Sequence, residues 1–147
     1  HYIQMPGYQA IMFMTYFSET IHLLIGTVSV ALLIGSYMLS LFKKAYPLKL
    51  QYHYYEIGIG MITWIIYLLL AQILTGSLLV WLKHYPLNTP WIRDAYILVS
   101  ICLTLLLYIR YRLTQHCTGL SIHLCFFLTF IGLILVIHDA VTRVGWL

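Results

Sequence analysis

Long runs of apolar residues, interrupted only by scattered polar side chains, make up most of the chain, from Thr20 to Phe42, Ile57 to Leu82, Ala95 to Leu113 and Leu120 to His138. A helix needs about 20 residues to cross a hydrocarbon core of about 30 Å, and each run approaches or exceeds that length. Backbone polar groups in lipid must be satisfied within the segment, and none of the runs alternates in polarity as a barrel strand would. The pattern therefore predicts four transmembrane helices. Ala10 to Phe17 is also apolar, so the first helix has room to start earlier, below a Pro6-Gly7 break that suits a turn. No charged segment precedes that helix, so no cleaved signal peptide is expected.

Composition points the same way. Of the 147 residues 62% are hydrophobic and 8% charged, with a mean hydropathy of +0.89, whereas a water-soluble domain carries about 25% charged residues. The expected fold class is all-α: a polytopic membrane protein, one four-transmembrane-helix bundle spanning residues 1–147. Lys43, Lys44, Lys49, Arg110 and Arg112 fall on one side of these spans, and Lys83, Arg93 and Arg143 on the other. Cytoplasmic loops collect positive charge, which puts both termini outside. Tyr46, Tyr52, Tyr54, Tyr55, Tyr108 and Tyr111 then form an inner aromatic belt, and Trp81, Tyr85, Trp91 and Trp146 an outer one. The connector Lys83 to Trp91, with Pro86 and Pro90, reads as an ordered hairpin cap over the outer face. The basic residues form no continuous stripe, so a nucleic-acid partner is not expected.

Histidines change the picture, because ionisable side chains at membrane depth mark functional sites. His22 and His138 fall near the outer surface, with His84 and His1; His53, His123 and His116 fall near the inner one. The fifteen residues from His123 to His138 leave the two roughly 60° apart on one helix face and roughly 22 Å apart along it. Such spacing suits a helix that supplies axial imidazoles to two stacked b-type haems, each completed from a neighbouring helix. The candidate ligand pairs are His22 with His138 and His53 with His123, and Gly26 would let a helix approach the macrocycle. A histidine at a helix end also serves simply by reaching water or a carbonyl, and that alternative stays open for each.

Glu19, one turn before His22, is a candidate to orient the imidazole. Asp139 and Arg143 have the spacing of an interfacial ion pair. Cys102, Cys117 and Cys125 form no C-x-x-C, so zinc and covalently attached haem lack support. His1, Met5 and His84 are alternative soft donors for copper on the outer side, although core packing accounts for most such methionines. No Ser-His-Asp grouping, phosphate-cradling glycine loop or H-E-x-x-H is present, which disfavours a hydrolase or nucleotide enzyme.

Two stretches resemble a bacterial family of four-helix predicted integral membrane proteins of unknown function. One is Ile21-His22-Leu23-Leu24-Ile25-Gly26-Thr27-Val28 with Gly35-Ser36-Tyr37-Met38; the other is Gln72 to Val80, continuing through Tyr85-Pro86-Leu87-Asn88-Thr89-Pro90-Trp91-Ile92. The resemblance is most specific in Gln-x-x-Thr-Gly and Tyr-Pro-Leu-x-Thr-Pro-Trp and covers roughly the first three spans. That family is distantly similar to the copper-resistance D membrane proteins and the HemJ-type protoporphyrinogen oxidases, whose first helix carries a histidine. In the HemJ type this histidine is associated with haem, and a lysine near the end of the last helix is important. His138 stands at that late position here, which argues against the oxidase activity. The resemblance implies a bacterial inner-membrane location.

The leading expectation is a haem b-binding electron-transfer subunit working with a quinone or a partner subunit, with His22 and His138 as axial ligands. The alternatives are a cofactor-free accessory subunit of a larger membrane complex, and copper handling on the outer side.

Overall fold

The computed structural model describes residues 6–42, 47–49, 53–116 and 119–142. They form four helices: α1 (Pro6–Leu41), α2 (Tyr54–Leu82), α3 (Pro90–Thr114) and α4 (Leu120–Thr142). All four are long and apolar enough to cross a membrane, and no strand occurs among the described residues. The chain is a multi-pass membrane protein. Lys43, Lys44, Tyr46, Tyr52, Cys117, Arg143 and Trp146, together with the proposed copper donors His1 and Met5, lie outside the described residues.

Consecutive helices run antiparallel as two hairpins, α1 with α2 and α3 with α4, joined chiefly where α2 meets α3 and, over a smaller area, where α1 meets α4. The end of the bundle carrying the 83–89 connector is called the upper end below. The close-packed core lies in the lower part, where Leu33, Ile62, Ile65, Leu106, Ile109, Ile122 and Phe126 are almost fully buried. Tyr37 of α1 stacks on Phe126 of α4 with ring centroids 5.6 Å apart. Leu23, Trp64, Leu74 and Trp81 point outward, as helix faces next to lipid require.

Three spans start earlier than the hydrophobic runs indicate, α2 by only three residues. The 36 residues of α1 make a helix of about 54 Å, well beyond a hydrocarbon core of about 30 Å. Its first three turns, including Phe13, Tyr16 and Phe17, are exposed. α3 begins at Pro90 because proline fits the first helical turn, where no backbone N–H is needed.

Two of the histidines have a backbone role. His84 sits just past the C-terminus of α2 with φ 57°, and His116 just past that of α3 with φ 55°. After α2, the Tyr85 N–H donates to the Val80 carbonyl at 3.1 Å and the His84 N–H to the Trp81 carbonyl at 3.3 Å. These are the bonds of a left-handed helix stop, a position usually held by glycine or asparagine and tolerated by histidine.

Candidate functional site

Where α1 crosses α2 near the upper end, each helix offers a polar side chain followed four residues later by glycine: His22 and Gly26 on α1, Gln72 and Gly76 on α2. Antiparallel pairing sets each polar group over the other helix's glycine. A β-carbon on Gly76 would stand 3.1 Å from His22 Cε1, and one on Gly26 would stand 2.9 Å from Gln72 Nε2. Small residues at such crossings let helices approach closely enough to hydrogen-bond across the gap. Gly26 thus makes room for an amide of α2.

Two contacts with α2 hold the imidazole. His22 Nδ1 lies 2.7 Å from Thr75 Oγ1. The Thr75 hydroxyl also lies 3.0 Å from the Ala71 carbonyl and 3.2 Å from the Gln72 carbonyl, so it ties the imidazole to the α2 backbone. His22 Nε2 lies 3.3 Å from Gln72 Nε2, and Gln72 Oε1 is buried without a hydrogen-bond partner among the described residues.

His22 and Gln72 line a cavity of about 290 Å³ that opens between the two hairpins, with walls from α2, α3 and α4. Val99, Val136 and Ala140 make its far side apolar, and Trp91 lines it nearer the upper end. Trp91 meets Tyr85 edge-on, with ring centroids 5.6 Å apart. A second polar group on its wall is Ser77, whose hydroxyl lies 2.6 Å from that of Tyr96. One residue after Gly76, Ser77 is turned about 100° around α2, which separates it from the His22 contact. Lys83 closes the upper rim and forms an ion pair with Glu19. Glu19 therefore holds Lys83, and Thr75 with Gln72 orients His22.

At the same end of the bundle, Asp94 of α3 and Asp139 of α4 are completely buried. Both Asp139 oxygens lack a hydrogen bond among the described residues, and His138 Nδ1 is 3.8 Å from Oδ1. The expected partner Arg143 lies outside the described residues.

The other candidate ligands are dispersed. His138 is 45% exposed and is not among the cavity-lining residues. At the lower end His53 Nδ1 lies 3.3 Å from Glu56 on the surface, while His123 Nδ1 lies 3.4 Å from Ser40 Oγ. A haem held by His22 and His138 needs a bare nitrogen of each ring facing one slot. In this arrangement one nitrogen of His22 is committed to Thr75, the other faces the Gln72 amide, and His138 stands outside the cavity, so the donor set does not fit that group. Among the described residues no three His, Cys, Asp or Glu side chains gather as a metal site.

Sequence reasoning singled out His22 but missed Thr75, Gln72 and Gly76 as its partners. The signal was present in the Gln-x-x-Thr-Gly stretch. In comparisons with known proteins, no family model, no curated protein and no solved structure matches this chain.

Proposed function

We propose that the chain is a membrane-resident binding protein for a quinone-class molecule, serving as a subunit in electron transfer within a bacterial inner membrane. The observation that carries this reading is the cavity: apolar, set within the bundle, and polar on its walls chiefly at His22 with Gln72 and at Ser77 with Tyr96. Small-molecule sites are mostly apolar clefts in which a few polar groups fix orientation, and they form between the helices of bundles. A ring with an oxygen at each end and an alkyl tail matches that distribution: the oxygens meet the two polar walls, the ring fills the apolar space, and the tail leaves toward lipid.

The test is saturable binding of a short-tailed benzoquinone to protein in lipid nanodiscs, read by quenching of tryptophan fluorescence, since Trp91 lines the cavity. Val136→Trp, which fills the cavity from α4, should abolish saturation while leaving the helical circular dichroism unchanged. Quenching that rises linearly with quinone and is the same in Val136→Trp is partition into lipid and would refute the proposal in favour of an accessory subunit. A haem absorption band that disappears in His22→Ala would replace it with the haem reading.

A further inference from the structure

Charge is shared unevenly between the two ends of the bundle. Lys83, Arg93 and Arg143 at the upper end are matched in number by Glu19, Asp94 and Asp139, whereas the lower end has Lys43, Lys44, Lys49, Arg110 and Arg112 against Glu56 alone, so the whole formal net charge of +4 belongs to the lower end. Positive charge on one side orients a chain in the membrane, and exposed lysines are enough for that. Arg112 is different. It stands in the last turn of α3, partly buried, and its Nε is buried without a hydrogen-bond partner among the described residues. Arg110, two residues earlier and about 200° round the helix, donates from Nε to Thr63 Oγ1 of α2 at 3.0 Å. A guanidinium is always charged and binds anions as a planar fork. Sunk among side chains it needs an anion beside it, and the lower end has no carboxylate to give: Glu56 is 81% exposed and lies 3.3 Å from His53 Nδ1.

We infer that Arg112 binds the phosphate of an anionic phospholipid in the leaflet at the lower end. The anion comes from outside the chain, because Glu19, Asp94 and Asp139 lie at the far ends of the helices. Where α3 leaves the apolar core the anions within reach are lipid phosphates, and a guanidinium takes two phosphate oxygens at once. The antiparallel packing that sets Cys102 against Gly132 brings Arg112 level with the first turn of α4, where Leu120, 83% exposed, offers apolar surface to an acyl chain. Headgroup and tail thus find adjoining contacts. Lys49 and Arg110, both exposed at this end, add attraction for a headgroup of net negative charge, whereas a choline headgroup carries its own cation. This site is independent of the cavity at the upper end.

The experiment is native mass spectrometry of the intact chain released from detergent micelles that contain equal amounts of phosphatidylglycerol and phosphatidylcholine with the same acyl chains. The expected result is about tenfold tighter retention of the first phosphatidylglycerol. Arg112→Gln should bring the ratio close to one, while Arg110→Gln, the same change of charge at the same end, should keep it. If Arg112→Gln does not fold, Arg112→Lys, which retains the charge but loses the fork, should lower the ratio in its place. Equal retention of the two lipids by the wild-type chain overturns the inference. So does an equal fall in the Arg110 and Arg112 variants, because diffuse attraction to a basic surface needs no site. Inorganic phosphate added to the same micelles should not displace phosphatidylglycerol; displacement overturns the lipid as occupant in favour of a soluble phosphate.

Discussion

Replacing Thr75 by valine probes the hydrogen-bond logic of the site most directly, because it removes one hydroxyl and preserves shape. In the native arrangement the Thr75 hydroxyl is the partner of His22 Nδ1, 2.7 Å away. Leaving a buried donor without a partner costs about 1–3 kcal/mol. The loss here should be smaller, because the ring has a second way to satisfy itself: with the hydrogen on Nε2, the Gln72 amide can turn Oε1, its unpartnered oxygen, to the position now held by the nitrogen 3.3 Å away. One hydrogen bond is exchanged for another, so the expected destabilisation is about 0.6 kcal/mol, the mean for interhelical bonds in a membrane bundle, and not the full desolvation cost. In Thr75→Val the ring hydrogen should sit on Nε2, the nitrogen that keeps a partner. Nitrogen NMR of ring-labelled histidine, with His22 assigned by substitution, distinguishes Nδ1–H from Nε2–H, and chemical unfolding in bicelles gives the stability difference. An Nδ1–H signal in Thr75→Val would show that Gln72 does not take over as the partner of the ring, and would refute this account of how α1 is held to α2.

Two further outcomes follow from packing. Gly132→Ala places a β-carbon 2.7 Å from Cys102 Sγ at the α3–α4 contact, where Cys102 is 1% exposed, so overpacking should cost about 1–3 kcal/mol; thermal unfolding in detergent should show the loss, and adding Cys102→Ala should recover most of it. Asp139→Leu removes a fully buried carboxyl whose oxygens have no hydrogen bond among the described residues, and should leave stability unchanged or raise it by up to about 1 kcal/mol in the same assay; a loss above about 2 kcal/mol would show that the carboxyl has a stabilising partner.

The four spans were legible because bilayer thickness imposes a minimum apolar length that little else in the chain imitates. Their starts were less so. Thr20 looked like the beginning of the first helix only because about 20 residues suffice to cross; Ala10 to Phe17 has the same apolar character and continues the same helix. His22 stood out by itself, but its partners did not, since a search along α1 finds Glu19 and the bonds are made by residues about fifty positions later. Gln72, Thr75 and Gly76 are an ordinary polar cluster until the register between α1 and α2 is known. At the end of α4 the difference was one residue: His138 was expected to face inward and Asp139 to sit at the interface, whereas Asp139 is buried and His138 half-exposed. A single step along a helix rotates a side chain by about 100°, enough to exchange the roles of neighbours.

The choice between a structural and a binding role for the upper end turns on what a structural role leaves over. A histidine that only fastened α1 to α2 would explain the Thr75 bond, the Gln72 contact and both glycines. It would not require an opening beside it. The lower part of the bundle, with Leu33, Ile65, Leu106 and Phe126 buried together, shows that these helices can close completely on one another. At the upper end they close within each hairpin and stay apart between hairpins, and the space between them has His22 and Gln72 on one wall and Ser77 on another. A ligand seated between the hairpins, with polar groups meeting these two walls, accounts for the opening, which fastening alone does not.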